Sequence, residues 1–210
     1  MNQTFFITGS STEVGKTIAS AIVVESLQTD YWKPVQAGEL HNTDTDKVRR
    51  LVSNQKTKFH SSAHELTGFM SPHAAAELDE VVISAKKIKR PSTKNNLVIE
   101  GAGGLIVPLN DTETVADLIK PTDKVIVVSR HYLGSINHTL LTIESLKQRK
   151  LDIFGILFSG LETPSTEQII AKMSGVPIIG RIDEEPYFDQ NVVKQYAEDF
   201  HTVFNELLAQ

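Results

Sequence analysis

Short apolar runs alternate along the chain with longer segments whose apolar residues recur at helical spacing. The apolar runs predict strands at 5–7, 31–35, 97–100, 125–128, 154–158 and 176–179. The helical spacing predicts helices at about 18–27, 43–52, 74–89, 134–147, 163–173 and 192–208. The alternation predicts an α/β fold: one domain, residues 1–210, with a doubly wound, mainly parallel sheet and helices on both faces.

Two stretches are less regular. Pro34 has no N–H group, so the strand at 31–35 should end there. Residues 55–66 are polar and predict neither helix nor strand. His60 and His64 in this stretch could form a metal-binding pair if it were helical, but no third ligand is evident, which favours solvated polar side chains.

The composition narrows the function classes. The chain has 210 residues, of which 40% are hydrophobic and 22% charged, which is ordinary for a globular protein. The net charge of −5 gives no electrostatic support for a nucleic-acid partner. The absence of cysteine excludes disulfides, thiol nucleophiles and thiolate metal sites. We see neither a signal-peptide pattern nor an apolar run long enough for a membrane span, so we expect a cytoplasmic protein without a membrane partner.

A glycine-rich stretch at 9–17 joins the first strand to the first helix. Its sequence is Gly-Ser-Ser-Thr-Glu-Val-Gly-Lys-Thr. The N–H groups of such a loop and the N-terminus of the following helix attract anions, and Gly15 lets the backbone approach closely. Lys16 would contact the phosphates and Thr17 a magnesium ion. Five residues separate Gly9 from Gly15, one more than in the general phosphate-loop motif.

Further polar residues follow the other predicted strands, at the edge where a parallel sheet binds its ligands. Lys33 could stabilise charge on a transferring phosphoryl group, or it could be an exposed strand-end lysine. Glu100 could reach a magnesium ion held by Thr17, or it could face water. Asp44 and Asp46 are candidate magnesium ligands, although acids also favour a helix N-terminus.

These stretches occur in the order seen in dethiobiotin synthetases, whose phosphate loop normally has the five-residue spacing. The matching segments are 8–17, 33–35, 71–73, 100–104 and 134–138, within about the first two-thirds of the chain. The chain thus resembles this family of P-loop ligases of biotin biosynthesis. The resemblance implies ureido ring closure from 7,8-diaminopelargonate, CO2 or bicarbonate and ATP, with Mg²⁺. It also implies a homodimer whose active sites are shared across the interface.

The resemblance also implies roles for individual residues. Catalysis would involve Lys16, Lys33 and Thr12. Nucleotide contacts would come from Glu13, Val14, Gly15, Lys16, Thr17, Ile18, Ser159 and Gly160. The metal would be held by Thr17, Asp44 and Glu100, with Asp46 as the alternative to Asp44. Substrate contacts would come from Thr12, Glu13, Lys33, Ala37, Gly103, Leu133, Gly134, Ser135 and Asn137, of which the segment 133–137 would belong to the second subunit.

The sequence departs from the family pattern in three places. Ala37 replaces a hydroxyl residue that is frequent near this position, so a substrate contact should be lost. Ser159 and Gly160 stand where relatives commonly have Asn-Asp, whose asparagine reads adenine. Asp183 replaces a proline in the later Gly-x-Ile-Pro segment. These departures predict weak recognition of the nucleotide base.

Other nucleotide-binding classes fit less well. A partitioning-type ATPase that acts as a dimeric switch is the main alternative, but its signature lysine would fall at Ser11. A GTP-binding switch needs Asn-Lys-x-Asp, and the nearest stretch, 120–123, differs at its first two positions. A non-catalytic nucleotide-binding module would not explain Lys33 or the helix start at Gly134.

Overall fold

The strands and helices of the chain follow the predicted alternation in a computed structural model that describes residues 2–209. The strands are β1 (Thr4–Gly9), β2 (Asp30–Trp32), β3 (Val35–Ala37), β4 (Phe59–His60), β5 (His64–Leu66), β6 (Leu97–Gly104), β7 (Lys124–Arg130), β8 (Asp152–Ser159) and β9 (Ile178–Ile182). The α-helices are α1 (Lys16–Leu27), α2 (Asp44–Leu51), α3 (Pro72–Leu78), α4 (Ser135–Gln148), α5 (Pro164–Ser174) and α6 (Gln190–Leu208). A 3₁₀ turn lies at Val115–Leu118.

Seven strands form one parallel sheet in the order β4-β2-β6-β1-β7-β8-β9. Strand β1 lies at its centre between β6 and β7, with Ile7 opposite Glu100 on one side and Ile126 on the other. Strands β3 and β5 form a separate parallel pair. Because the carboxyl ends of parallel strands share one edge, the loops after β1, β2 and β6 come together there.

Both faces of the sheet are covered, which confirms the predicted doubly wound fold. Successive residues of a strand point to opposite faces, so Phe5 and Ile7 pack on one side and Phe6 on the other. Helices α1 and α6 cover the first face, with Ala19, Val23 and Phe204 among its buried residues. Helices α4 and α5 cover the second face, where Leu146 and Ile170 are buried.

Helix α3 is shorter than the sequence predicts. It ends at Leu78, whereas the helical pattern extended to about 89. The Asp79 side chain accepts hydrogen bonds from the backbone N–H and the hydroxyl of Thr67, and Glu80 takes a left-handed conformation with φ of 55°. An L-residue in that conformation stops helix propagation. Val82 is 83% exposed, so the apolar pattern beyond Leu78 does not mark a buried helix face.

Two strand boundaries also differ from the prediction. The expected strand at 31–35 is divided into β2 and β3, with Lys33 and Pro34 between them, because Pro34 cannot donate to the ladder. Strand β9 begins at Ile178 and continues to Ile182, rather than covering 176–179, since Pro177 precedes it. The polar stretch at 55–66 contains β4 and β5.

Among residues 2–209, no helix combines the length and the apolar character that crossing a membrane requires.

Candidate functional site

A cleft of about 700 Å³ opens at the carboxyl ends of β1, β2 and β6. It contains most of the residues that the sequence predicts for the site: Thr12, Glu13, Val14, Gly15, Lys16, Thr17, Lys33, Ala37, Asp44, Glu100 and Gly103. The sheet topology accounts for this assembly, because it brings together segments that are separated by up to about ninety residues in the sequence.

The loop between β1 and α1 has the shape that a phosphate requires. A Cβ at Gly9 would lie 2.6 Å from the Ser11 carbonyl oxygen, so only glycine fits there. Gly15 has φ of 90° and is the N-cap of α1, where no side chain caps the helix. The first N–H groups of α1 therefore lack a side-chain partner and can bind an anion at the positive end of the helix dipole.

Lys16, the first residue of α1, turns back over this loop. Its Nζ donates a hydrogen bond to the Ser11 carbonyl oxygen at 3.3 Å, and the residue is 7% exposed. Burial, together with the nearby charge of Lys33, lowers the pKa of Lys16 to about 8. The ammonium group is thus buried at the phosphate loop, and no carboxylate of residues 2–209 is in direct contact with it, as phosphate binding requires.

Lys33 lies between two carboxylates at the base of the cleft. Its Nζ is 2.5 Å from Oδ2 of Asp44 and 2.9 Å from Oε1 of Glu100. Glu100 is fully buried within β6, which continues four residues beyond the predicted strand end. Oε1 of Glu100 also accepts a hydrogen bond from Oγ1 of Thr17 at 3.1 Å. Asp44 and Glu100 therefore share the Lys33 ammonium group, and Thr17 joins this cluster through Glu100.

The charges in this cluster are mutually stabilised. Burial opposes the charged form of Lys33, but the carboxylates of Glu100 and Asp44 outweigh it and raise the pKa of Lys33 above its usual value. Burial alone would raise the pKa of Asp44, yet the charge and hydrogen bond of Lys33, with a smaller effect of Lys47, lower it. Lys33 is thus a cation and Asp44 a carboxylate at neutral pH.

Asp44 and Asp46 have different environments. Asp44 begins α2 and its carboxylate lines the cleft. Asp46 completes a capping box: its Oδ2 accepts hydrogen bonds from the backbone N–H and hydroxyl of Thr43, while its Oδ1 accepts one from Arg49. Of the two alternatives left open by the sequence, the geometry favours Asp44 as the metal ligand.

The donor set fits a magnesium ion. Two carboxylates and a threonine hydroxyl are hard oxygen ligands of the kind that magnesium binds together with nucleotide phosphates and water. The ammonium of Lys33 between Asp44 and Glu100 shows that this position already attracts a cation. Within residues 2–209, no group of three or more His, Cys, Asp or Glu side chains is arranged to hold a metal by itself. A magnesium ion here would therefore need ligands from a bound nucleotide.

The two histidines lack the helical arrangement on which the metal-pair interpretation depends. His60 and His64 lie in short strands rather than in a helix, so the i, i+4 spacing does not place them on one face. Nε2 of His60 lies 2.9 Å from Oδ2 of Asp30, a residue at the opposite edge of the sheet from the cleft. His60 is therefore partly buried and paired with a carboxylate, rather than solvated as the sequence favours.

The residues predicted to meet the nucleotide base lie on the other side of the phosphate loop. A Cβ on Gly15 would be 3.2 Å from Oγ of Ser159, so Ser159 adjoins the loop. Gly160 follows it with φ of 100°, close to Arg130 and Glu184. Ile18 lines a neighbouring cavity of about 570 Å³ that shares Thr17 and Lys47 with the cleft. These positions surround the loop rather than the base of the cleft.

The predicted substrate residues at 133–137 do not line the cleft of their own chain. Helix α4 begins at Ser135 after Gly134, whose φ is 104°, and no side chain caps it. Leu133 is fully exposed and Asn137 is also exposed. This uncapped helix start therefore faces outward from the chain.

Several residues near the cleft were not predicted from the sequence. Oε1 of Gln36 accepts a hydrogen bond from the Asp44 backbone N–H at 3.1 Å, and the hydroxyl of Tyr31 donates one to Glu100. Phe69 and Met70 form an apolar wall. Tyr31 could have been found, because it lies two residues before Lys33 and strand side chains alternate. The contact of Gln36 with Asp44 has no such signal.

Comparison with known proteins points to the same family as the sequence motifs. A family model described as an AAA domain matches residues 3–192. The chain is 60% identical over 200 residues to the ATP-dependent dethiobiotin synthetase BioD of Christiangramia forsetii, covering 95% of this chain and 97% of that protein. The chain belongs to the dethiobiotin synthetase family. The family enzyme of Cytophaga hutchinsonii is 48% identical over 195 residues, 92% of this chain and 94% of its own.

Solved structures show the same fold in more distant proteins. The septum site-determining protein MinD of Pyrococcus horikoshii, complexed with Mg-ADP, superposes with a TM-score of 0.59 over 99% of this chain and 94% of its own. The cell division ATPase MinD of Pyrococcus furiosus superposes with a TM-score of 0.58 over 97% of this chain and 100% of its own. Their identities to this chain are 14% and 13%, so the likeness extends to the fold alone. The family assignment, not this likeness, separates the chain from partitioning-type ATPases.

Proposed function

We propose that this protein is an ATP-dependent dethiobiotin synthetase, which closes the ureido ring of dethiobiotin from 7,8-diaminopelargonate and CO2. The observation that carries the proposal is the buried Lys33 ammonium beside the phosphate loop, at hydrogen-bond distance from Asp44 and Glu100. A partitioning-type switch has its second lysine in the phosphate loop, where this chain has Ser11, and does not need a buried lysine after β2. A reaction between two anions does, since each must be held against the repulsion of the other.

The first reacting anion is the carbamate that forms when one substrate amine adds to CO2. Lys16 and Lys33 would hold its negative charge beside the γ-phosphate, with the hydroxyl of Thr12 as a further donor. A carbamate oxygen attacks the γ-phosphorus and ADP leaves, which gives a carbamic–phosphoric anhydride. The second amine then attacks the carbonyl carbon, phosphate leaves and the amine loses a proton.

Magnesium would be held by Thr17, Asp44 and Glu100 with the nucleotide phosphates, and when bound it neutralises charge on the transferring phosphoryl group. Gly15 and the N–H groups at the start of α1 would bind the phosphates directly. Because Lys33 shares both carboxylates with the metal site, its ammonium would be free to turn toward the carbamate once another cation neutralises them.

The apolar wall and the outward-facing helix start suit the rest of the substrate. Phe69 and Met70 would pack against its alkyl chain, and Ala37 would leave one polar contact unmade. The uncapped start of α4, from Leu133 to Asn137, would bind the distal carboxylate of a substrate held by a second copy of the chain. The working unit is then a homodimer. A cytoplasmic location of the enzyme is compatible with its use of ATP as co-substrate.

The assay combines purified protein with diaminopelargonate, bicarbonate and magnesium-ATP, and measures dethiobiotin by mass spectrometry together with released phosphate. We expect equal amounts of dethiobiotin and phosphate, and no phosphate when diaminopelargonate is omitted. ATP hydrolysis that does not depend on diaminopelargonate and gives no dethiobiotin would overturn the proposal in favour of a switch ATPase.

A further inference from the structure

The hydroxyl of Tyr31 contacts Glu100 from behind the cleft. Tyr31 lies in β2 and does not line the cleft. Its hydroxyl donates a hydrogen bond to Oε2 of Glu100 at 2.9 Å. Both side chains are fully buried, so water cannot replace this bond if it is lost.

The two oxygens of Glu100 have different neighbours. Oε1 accepts hydrogen bonds from Thr17 at 3.1 Å and from Lys33 at 2.9 Å, on the side of the phosphate loop. Oε2 accepts its bond from Tyr31. The phenol therefore fixes the rotation of the carboxylate and keeps Oε1 directed toward Thr17, whose hydroxyl is the other predicted metal ligand there.

The surroundings hold the phenol ring in place. Strand β2 lies between β4 and β6, with Tyr31 opposite Phe59 on one side and Val98 on the other. The ring centroids of Tyr31 and Phe59 are 6.1 Å apart. A donor on a packed strand positions its acceptor more accurately than a donor on a loop.

We propose that Tyr31 is a positioning residue for the metal site, which acts by holding the Glu100 carboxylate with Oε1 toward Thr17. This inference rests on the proposed function, in which Glu100, Asp44 and Thr17 hold magnesium. Hydrogen-bond partners behind metal ligands orient those ligands, and losing one such partner commonly costs 10–100-fold in metal affinity or activity.

The direct test is the variant Tyr31→Phe, which keeps the ring and removes the hydroxyl. Mn²⁺ binding is measured by electron paramagnetic resonance in the presence of saturating ADP. The matched control is Tyr196→Phe. Tyr196 lies on α6 and does not line the cleft, but its hydroxyl also donates to a glutamate, Glu185. We expect the Mn²⁺ Kd to rise about tenfold or more in Tyr31→Phe and to change less than about twofold in Tyr196→Phe. An unchanged Kd in Tyr31→Phe would overturn the proposal.

A second measurement separates positioning from support of the fold. The magnesium concentration that gives half-maximal dethiobiotin formation should rise about tenfold in Tyr31→Phe, and saturating magnesium should restore kcat to near the wild-type value. The KM for diaminopelargonate should stay unchanged. A kcat that remains low at every magnesium concentration would indicate a merely structural role and would overturn the proposal.

A measurement on the intact chain remains decisive if Tyr31→Phe does not fold. The four tyrosines are replaced by 3-fluorotyrosine, and the ¹⁹F resonance of Tyr31 is assigned by eliminating the other three with Tyr→Phe variants. Adding Mg²⁺ to the ADP complex should move the Tyr31 resonance and leave that of Tyr196 in place. An unmoved Tyr31 resonance would overturn the proposal.

Failure of the proposed function and failure of the role of Tyr31 alone give different results. A wild-type protein that binds no Mn²⁺ with ADP and forms no dethiobiotin removes the metal site and the role of Tyr31 together. A wild-type protein that does both, with Tyr31→Phe indistinguishable from it, removes the role of Tyr31 alone.

Discussion

Lys16 and Lys33 are buried cations with different neighbours. Lys33 contacts two carboxylates, whereas Nζ of Lys16 contacts the Ser11 carbonyl oxygen of the phosphate loop. Burying an ammonium group is costly unless it is paired, so each lysine is held where an anion can compensate it. The anions that compensate Lys33 belong to the protein, whereas the anion that compensates Lys16 would belong to the ligand.

We expect Lys16→Ala and Lys33→Ala each to lower kcat/KM for dethiobiotin formation by about 100-fold or more, which corresponds to about 2.7 kcal/mol of transition-state stabilisation. Both variants should keep the far-ultraviolet circular dichroism of the wild type when magnesium is present. Lys124→Ala is the control, because Lys124 pairs with Asp152 at the opposite end of the sheet. Near-normal turnover of Lys33→Ala would remove Lys33 from the catalytic set.

The lowered pKa of Lys16 predicts a pH dependence. In the free protein this pKa is about 8, so kcat/KM for ATP should fall as pH rises above about 8 and the ammonium loses its charge. In Lys16→Arg the guanidinium stays charged, and this decline should disappear even if the absolute rate is lower. A wild-type profile that stays level to pH 10 would contradict the assignment.

The same shift affects stability with a defined sign. The pKa of Lys16 is lower in the folded protein than its ordinary value of 10.5, so the unfolded chain binds more protons between about 8 and 10.5. The contribution of this residue therefore raises the free energy of unfolding as pH rises through that window. Below about pH 8 the cost of the buried charge is present in full.

At the scale of elements, β9 and α6 pack without space for an added methyl group. Gly180 lies in β9, and a Cβ there would overlap the ring of Phe200 on α6. Gly180→Ala should lower the free energy of unfolding by about 1–3 kcal/mol, as overpacking of a core does. Urea denaturation measures this value.

A second substitution tests the cause. In Gly180→Ala/Phe200→Leu the smaller side chain makes room, so the double variant should lose less stability than the sum of the two single variants. Strict additivity would show that the ring of Phe200 is not what the new methyl group meets.

The loop after β8 determines a further property, the choice of nucleotide base. Ser159 and Gly160 provide no side-chain amide, and two of their backbone groups are already paired: the Ser159 carbonyl oxygen accepts from the His131 N–H and the Gly160 N–H donates to the Ile182 carbonyl oxygen. Strong selectivity arises when the wrong ligand leaves buried polar groups unpaired, and few are available here.

We therefore expect GTP and CTP to support dethiobiotin formation with kcat/KM within about tenfold of ATP, a difference of about 1.4 kcal/mol. The measurement is kcat/KM for each triphosphate at saturating diaminopelargonate. A preference for ATP of about a thousandfold or more would instead assign base recognition to other groups, such as Arg130 or Glu184 beside Gly160.

At the scale of the whole molecule, the start of α4 and the cleft of the same chain are separate surfaces. A shared active site predicts that two defective variants complement each other. Lys33→Ala and Asn137→Ala homodimers should each be impaired, Asn137→Ala mainly through a raised KM for diaminopelargonate. After the subunits are mixed in equal amounts and exchanged, about half of the dimers are heterodimers, and one of the two sites in each contains both normal residues. About a quarter of all sites should therefore be intact.

At a diaminopelargonate concentration well below the KM of Asn137→Ala, the exchanged sample should therefore recover about a quarter of the wild-type rate. Sites built within one chain would instead give the average of the two parental rates. Sedimentation of the wild type should show a dimer. A fully active monomer, or no gain after exchange, would contradict the shared site.

The sequence by itself determined the parallel α/β fold, the phosphate loop and most of the residues of the cleft. Apolar runs define strands and helical spacing defines helices locally, while the carboxyl ends of parallel strands meet at one edge whatever the loops do. Local capping also fixed the start of α2, where Thr43 caps the helix. These features depend on neighbouring residues, so a single sequence reveals them.

Only the tertiary structure decided which charges touch. Tyr31 and Lys33 reach Glu100 across more than sixty residues of sequence. Gln36, whose side chain accepts a hydrogen bond from the Asp44 N–H, lies in β3, and the pairing of β3 with β5 was not predicted. It also ended α3 at Leu78, because Thr67 donates to Asp79 from another segment. Such contacts depend on how the strands are ordered and how the loops return, and the periodicity of one segment carries no information about its neighbour in space.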